Sequence, residues 1–96
     1  MRALLLPIFL LLATRSIGQT AGSSATLRDA STAPSGRVIV DGATWRCEGV
    51  NCVGNGGANQ PPLRACRRVV AKIGAVSAFT HRGVVLDAET LAACNA

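Results

Sequence analysis

The spacing of apolar residues changes along the chain, and each change marks an element. Ala3 to Ala13 is a continuous apolar run. Gln19 to Gly36, "QTAGSSATLRDASTAPSG", holds Leu27 as its only large apolar residue. From Arg37 the pattern alternates: in "RVIVDGATWRC", Val38, Val40, Trp45 and Cys47 interleave with Ile39, Thr44 and Arg46. Asp41-Gly42 between two runs of strand formers predicts a hairpin with a two-residue turn. That turn pairs Val40 with Ala43 and Val38 with Trp45, and puts all four on one face with Cys47. If "EGVN" (Glu48–Asn51) forms the next turn, Cys47 and Cys52 become directly opposed, and Trp45 lies opposite Gly54.

The period then lengthens. In "PPLRACRRVVAKIG", Leu63, Cys66, Val69, Val70 and Ile73 gather on one side of a helix. Prolines suit its first turn, and Gly74 suits the position just past its end. "VGNGGANQ" before it reads as a connector, with no Lys-Ser/Thr ending of a phosphate loop. "AVSAFTHRGVVLD" predicts a short hairpin around His81-Arg82-Gly83, with His81 a surface residue at the turn. The last segment, "LDAETLAACNA", starts a helix well: Asp87 caps, Glu89 favours the first turn, and Leu86 and Leu91 occupy the staple positions.

The fold expected is α+β: a small, mainly antiparallel sheet of about five short strands with two helices, in the order β-β-β-α-β-β-α. Residues 1–18 read as a signal peptide. The apolar run of about eleven residues is short of the ~20 that span a bilayer, and Ser16 and Gly18 are small residues at a cleavage site. Residues 19–36 read as a flexible linker, because a segment so poor in large apolar side chains buries little to offset its ordering entropy. Residues 37–96 form the domain, with no transmembrane span after cleavage.

Cysteine usage sharpens this reading. Cys47, Cys52, Cys66 and Cys94 all lie in the domain. Four thiols in a short exported chain predict two disulfides, and so small a core needs them. The opposed strand positions predict Cys47–Cys52. The inward helix positions of Cys66 and Cys94 make Cys66–Cys94 the simplest partner bridge, with the longer loop and the larger stabilisation. Redox catalysts favour two residues between their cysteines, and zinc knuckles need a second ligand pair, so neither chemistry fits four residues between Cys47 and Cys52. No catalytic residue, metal ligand or cofactor is expected. A lone His81 has no nucleophile or acid placed beside it by sequence.

Charge adds one candidate surface. The chain carries a formal +5. Loss of Arg2 and Arg15 with the leader leaves eight basic against five acidic residues, net +3. That excess is no nucleic-acid signature. At helical spacing Arg64, Arg67, Arg68 and Lys72 gather opposite the apolar stripe, with no acid among them. They make a solvated face or an anion-docking stripe.

The pattern Trp45-x-Cys47-Glu48-Gly49-x-x-Cys52, then Arg64-Ala65-Cys66-Arg67, then Leu86-Asp87 and Leu91-x-x-Cys94-Asn95-Ala96, resembles a family of small exported alphaproteobacterial proteins of unknown function. The resemblance spans roughly Val38 to Ala96. It implies an envelope location, periplasmic or extracellular, and a shared cysteine framework. It brings no catalytic residue. The expected function is a non-catalytic binding or structural protein of the cell envelope, meeting an anionic envelope component or another exported protein. An inhibitor reading its target through Gly54–Gln60 is the alternative, and a thiol-disulfide redox enzyme a third.

Overall fold

The computed structural model describes residues 22–96. The expected leader, residues 1–18, lies outside them. The elements are β1 (Ser23–Leu27), β2 (Val38–Val40), β3 (Ala43–Glu48), β4 (Asn51–Gly56), α1 (Pro62–Lys72), β5 (Val76–His81), β6 (Val84–Val85) and α2 (Ala88–Asn95). The strands form one antiparallel sheet in the order β2-β3-β4-β1-β5-β6. The fold is a small α+β domain with two helices and two disulfides.

The expected linker needs correction. Within residues 19–36, Ser23–Leu27 is a central strand, paired with β4 on one side and β5 on the other. The composition argument averaged over the whole segment, whereas a strand acts on alternate residues. Ala25 and Leu27 point into the core and are 4% and 2% exposed. Ser24 and Thr26 face away, where hydroxyls cost nothing. The rest of the segment is also tied down. Asp29 caps a short 3-10 turn at Ala30–Thr32, and Thr32 packs on Gly74. The backbone N–H of Arg28 donates to the Ala75 carbonyl at 3.0 Å. The folded body therefore begins by Ser23, not Arg37.

The β2–β3 and β3–β4 registers are those the pattern predicts. Val38 pairs with Trp45, Val40 with Ala43, Trp45 with Gly54 and Cys47 with Cys52. Asp41 and Gly42 both take positive φ (50° and 84°), as a type I′ turn requires. The next turn is Glu48–Asn51, as expected: Glu48 and Asn51 pair with each other around Gly49-Val50, with Gly49 at φ 62°.

One face of the sheet carries the core. Val40, Trp45, Cys52, Val76 and Phe79 meet Ala65, Cys66, Val69 and Ile73 of α1, and Cys94 of α2. Trp45 and Phe79 stack with ring centroids 6.0 Å apart. The indole lies over Gly54, the one position opposite it where a side chain would collide with the ring. The two helices pack on each other and both reach β5. Asn95 fixes the end of α2: its side chain accepts from Val76 N–H at 2.9 Å and donates to Val76 C=O at 2.8 Å.

Two outcomes follow from this packing. Gly54→Ala forces the indole out of place and should destabilise the domain by about 1–3 kcal/mol, read from urea unfolding of Trp45 fluorescence. The two bridges also differ in loop length, with separations of 28 for Cys66–Cys94 and 5 for Cys47–Cys52. In the chain-entropy treatment they contribute about 3–4 and about 2 kcal/mol respectively. Replacing both members of the long bridge by Ala should therefore cost more than replacing both members of the short one. Equal losses in denaturant midpoints would contradict that ordering.

Candidate functional site

The cysteines are held as staples. Cys47–Cys52 sits across β3 and β4 with Cα atoms 4.0 Å apart, in the close, non-hydrogen-bonded position of an antiparallel pair. Cys66–Cys94 joins the two helices, Cα to Cα 5.8 Å. Cys52, Cys66 and Cys94 are buried and Cys47 is half-buried. Among the described residues no cysteine is free and no cluster of three metal-ligating side chains exists.

Arg64, Arg67, Arg68 and Lys72 are all exposed on α1, away from its buried side. The surrounding structure engages three of them. Arg68 makes a bidentate ion pair with Asp41, the first turn residue between β2 and β3: Nη2 to Oδ1 at 2.9 Å and Nε to Oδ2 at 3.2 Å. Gln60 donates to the same carboxylate at 3.1 Å. These bonds hold the Asp41 carboxyl below its usual range, and Asp41 in turn raises Arg68. Arg67 reaches the Ala93 carbonyl at the C-terminal end of α2 at 3.4 Å, where the helix dipole favours a cation. Lys72 Nζ lies 3.5 Å from the Ile39 carbonyl of β2. Arg64 alone of the four has no acceptor among the described residues.

The sequence showed no acid among these cations. The counter-ion comes from a turn 27 positions away, which only the tertiary fold brings near. Between α1 and β2 runs a groove of about 370 Å³ lined by Ile39, Val40, Asp41, Arg68, Ala71 and Lys72. The segment expected as a reading head, Gly54–Gln60, is partly strand β4. Its remainder is pinned: Ala58 N–H donates to Asp41 C=O at 3.1 Å, and Arg82 Nη2 to Gly57 C=O at 2.7 Å.

His81 is the residue that sequence reasoning misplaced. It ends β5 on the core side and is 8% exposed, not a surface turn residue. The turn itself is Arg82-Gly83, both at positive φ. No sequence signal marks the burial, because β1 and the Gly56–Gln60 connector supply the cover. His81 Nε2 has no hydrogen-bond partner among the described residues. It lines a cavity of about 20 Å³ with Ser23, Asp41, Trp45, Gln60 and Phe79, a space for roughly one water molecule.

Burial pushes the His81 imidazole below its ordinary 6.5, and the neighbouring Arg82 charge adds to this. The Gln60 carbonyl opposes both. Asp41 also faces the cavity, but its charge is engaged by Arg68.

The sequence model of one family, described as a family of unknown function (DUF8200), matches residues 8–96. No curated protein and no solved structure matches the chain.

A depressed histidine sets the sign of the pH dependence. The unfolded chain takes up the proton first, so stability is full above the unfolded value of 6.5 and falls as pH drops below it. Asp29, Asp41 and Asp87 are shifted below 3.8, so their stabilisation is lost only at lower pH. Urea midpoints should decline from about pH 7.5 to about pH 5 in the wild type and stay level in His81→Leu. A level wild-type profile would mean that His81 is not held neutral in the core.

Proposed function

The chain belongs to that family of unknown function, and we propose that it is an exported, non-catalytic binding protein of the bacterial cell envelope. Its docking element is the exposed face of α1. The observation that carries this reading is the placement of Arg64, Arg67, Arg68 and Lys72 on one solvent-facing side of a helix whose other side is committed to the core. Asp41 offsets one charge, which leaves an excess of three on the face.

Export is supported by the cysteines. Paired structural disulfides persist in oxidising compartments and are rare in the cytosol. A non-catalytic role is supported by the same pairing, which leaves no thiolate to act as a nucleophile among the described residues. α1 has no apolar surface to spare for insertion, since Ala65, Cys66, Val69 and Ile73 are buried against the sheet. Contact with an anionic surface is therefore electrostatic, and added salt weakens it.

The test is co-sedimentation with vesicles containing phosphatidylglycerol and, separately, with purified cell-wall polymer, at low and high salt. The informative variant is Arg64→Gln with Arg67→Gln, which leaves the Arg68–Asp41 pair in place. Wild type should pellet at low salt, and the variant's bound fraction should fall about five-fold or more, each lost cation weakening the attraction. Equal binding by wild type and variant, or no binding at low salt, contradicts the proposal.

A further inference from the structure

The sheet ends in two open strands. β2 pairs only with β3, and β6 only with β5. Ile39, Val84 and Val85, three of the four large exposed apolar residues among those described, lie on these two edges. Ile39 is 55% exposed and Val85 74%. Their backbone groups face outward too. Val40 and Ala43 close a two-residue turn, so they exchange their hydrogen bonds and the alternate residue, Ile39, turns its N–H and C=O away from β3. Lys72 meets that outward carbonyl. On the other edge, His81 and Val84 close the Arg82-Gly83 turn, and Leu86 N–H donates back to Phe79 C=O. Val85 therefore turns its N–H and C=O away from β5.

Strand number and charge then fit the two edges to each other. Six strands, antiparallel throughout, make β2 and β6 run in opposite directions. A second copy displaced along the sheet brings its β2 antiparallel to the first copy's β6, with the helices of both on the same side. The β2 edge is flanked by Arg37, Arg68 and Lys72, and its Asp41 is taken by Arg68. The β6 edge runs directly into Asp87 and Glu89, both exposed and in no ion pair among the described residues. The cation nearest in sequence, Arg82, is turned inward to Gly57. Pairing β2 with β2, or β6 with β6, would oppose like charges, whereas pairing β2 with β6 opposes unlike ones.

The geometry points to head-to-tail association of copies of this chain, β6 of one extending the sheet through β2 of the next, with Ile39 paired to Val85. A heterologous contact of this kind grows into open chains, not closed dimers. The edges are short, and a lysine guards one of them, so association is weak, reversible and salt-sensitive.

Sedimentation equilibrium of the oxidised protein, as exported by its host, tests this. At low salt the weight-average mass should rise with concentration past that of a dimer and fall back on addition of salt. Ile39→Pro and Val85→Pro each remove an N–H that faces away from the sheet, which an edge strand tolerates. Each variant alone should be monomeric. Their equal mixture should stop at a heterodimer, about twice the monomer mass, since each retains the edge the other lacks. The charge pair gives a second readout that leaves the backbone intact: Lys72→Glu should weaken assembly, and Lys72→Glu with Glu89→Lys should restore it. A wild type that is monomeric at every concentration overturns the proposal. So does a proline variant that dimerises by itself, or a charge reversal that changes nothing.

Discussion

The structure depends on the insertion of Ser23–Leu27 between β4 and β5. Those two strands are not paired with each other, and β1 supplies the hydrogen-bonding partner of both. Without it the sheet separates into a β2-β3-β4 meander and a β5-β6 hairpin. With it, the chain has one continuous sheet, one apolar face and two edges at opposite ends. Leu27 also carries the strand into the core beside the β3–β4 turn, where its N–H donates to Val50 C=O at 2.8 Å. The β1–β5 pairing shifts register between Thr26 and Leu27.

A sheet with one apolar face needs a cover, and two short helices supply little area. The Cys66–Cys94 bridge compensates by joining those helices directly above β5, and Asn95 ties the end of α2 to the same strand. Cys47–Cys52 works at a smaller scale, holding the β3–β4 register that keeps the indole over Gly54. Each staple thus fixes an alignment that a core with only two aromatic rings, Trp45 and Phe79, would hold weakly by itself. The same economy explains the surface. α1 spends its apolar side on the sheet, and its cations remain outside, partly braced by Asp41, the Ala93 carbonyl and the Ile39 carbonyl.

What the sequence reveals and hides follows from the range of each interaction. The hairpin at Asp41-Gly42, the opposed cysteines, the helix from Pro62 and the Asp87 cap, whose side chain accepts from Thr90 N–H at 2.8 Å, all depend on residues close in the chain. They are legible as period, turn chemistry and spacing. β1 is not, because its two buried residues, Ala25 and Leu27, carry a period-two signal too brief to stand out from the serines and threonines around it. The Arg68–Asp41 pair and the burial of His81 are hidden for a related reason. Each is created by elements far apart in the chain that meet only in the tertiary fold. The basic stripe itself was visible, but the partners that brace it were not.

Because the sheet, the His81 cover and the two complementary edges all require β1, hydrogen exchange across residues 23–27 tests the account most directly. The amides that β1 shares with β4 and β5 should exchange only through global unfolding, as slowly as those of the most protected residues of β4 and β5. Exchange of the 23–27 segment at the rate of an unstructured peptide, with β4 and β5 still protected, would contradict it.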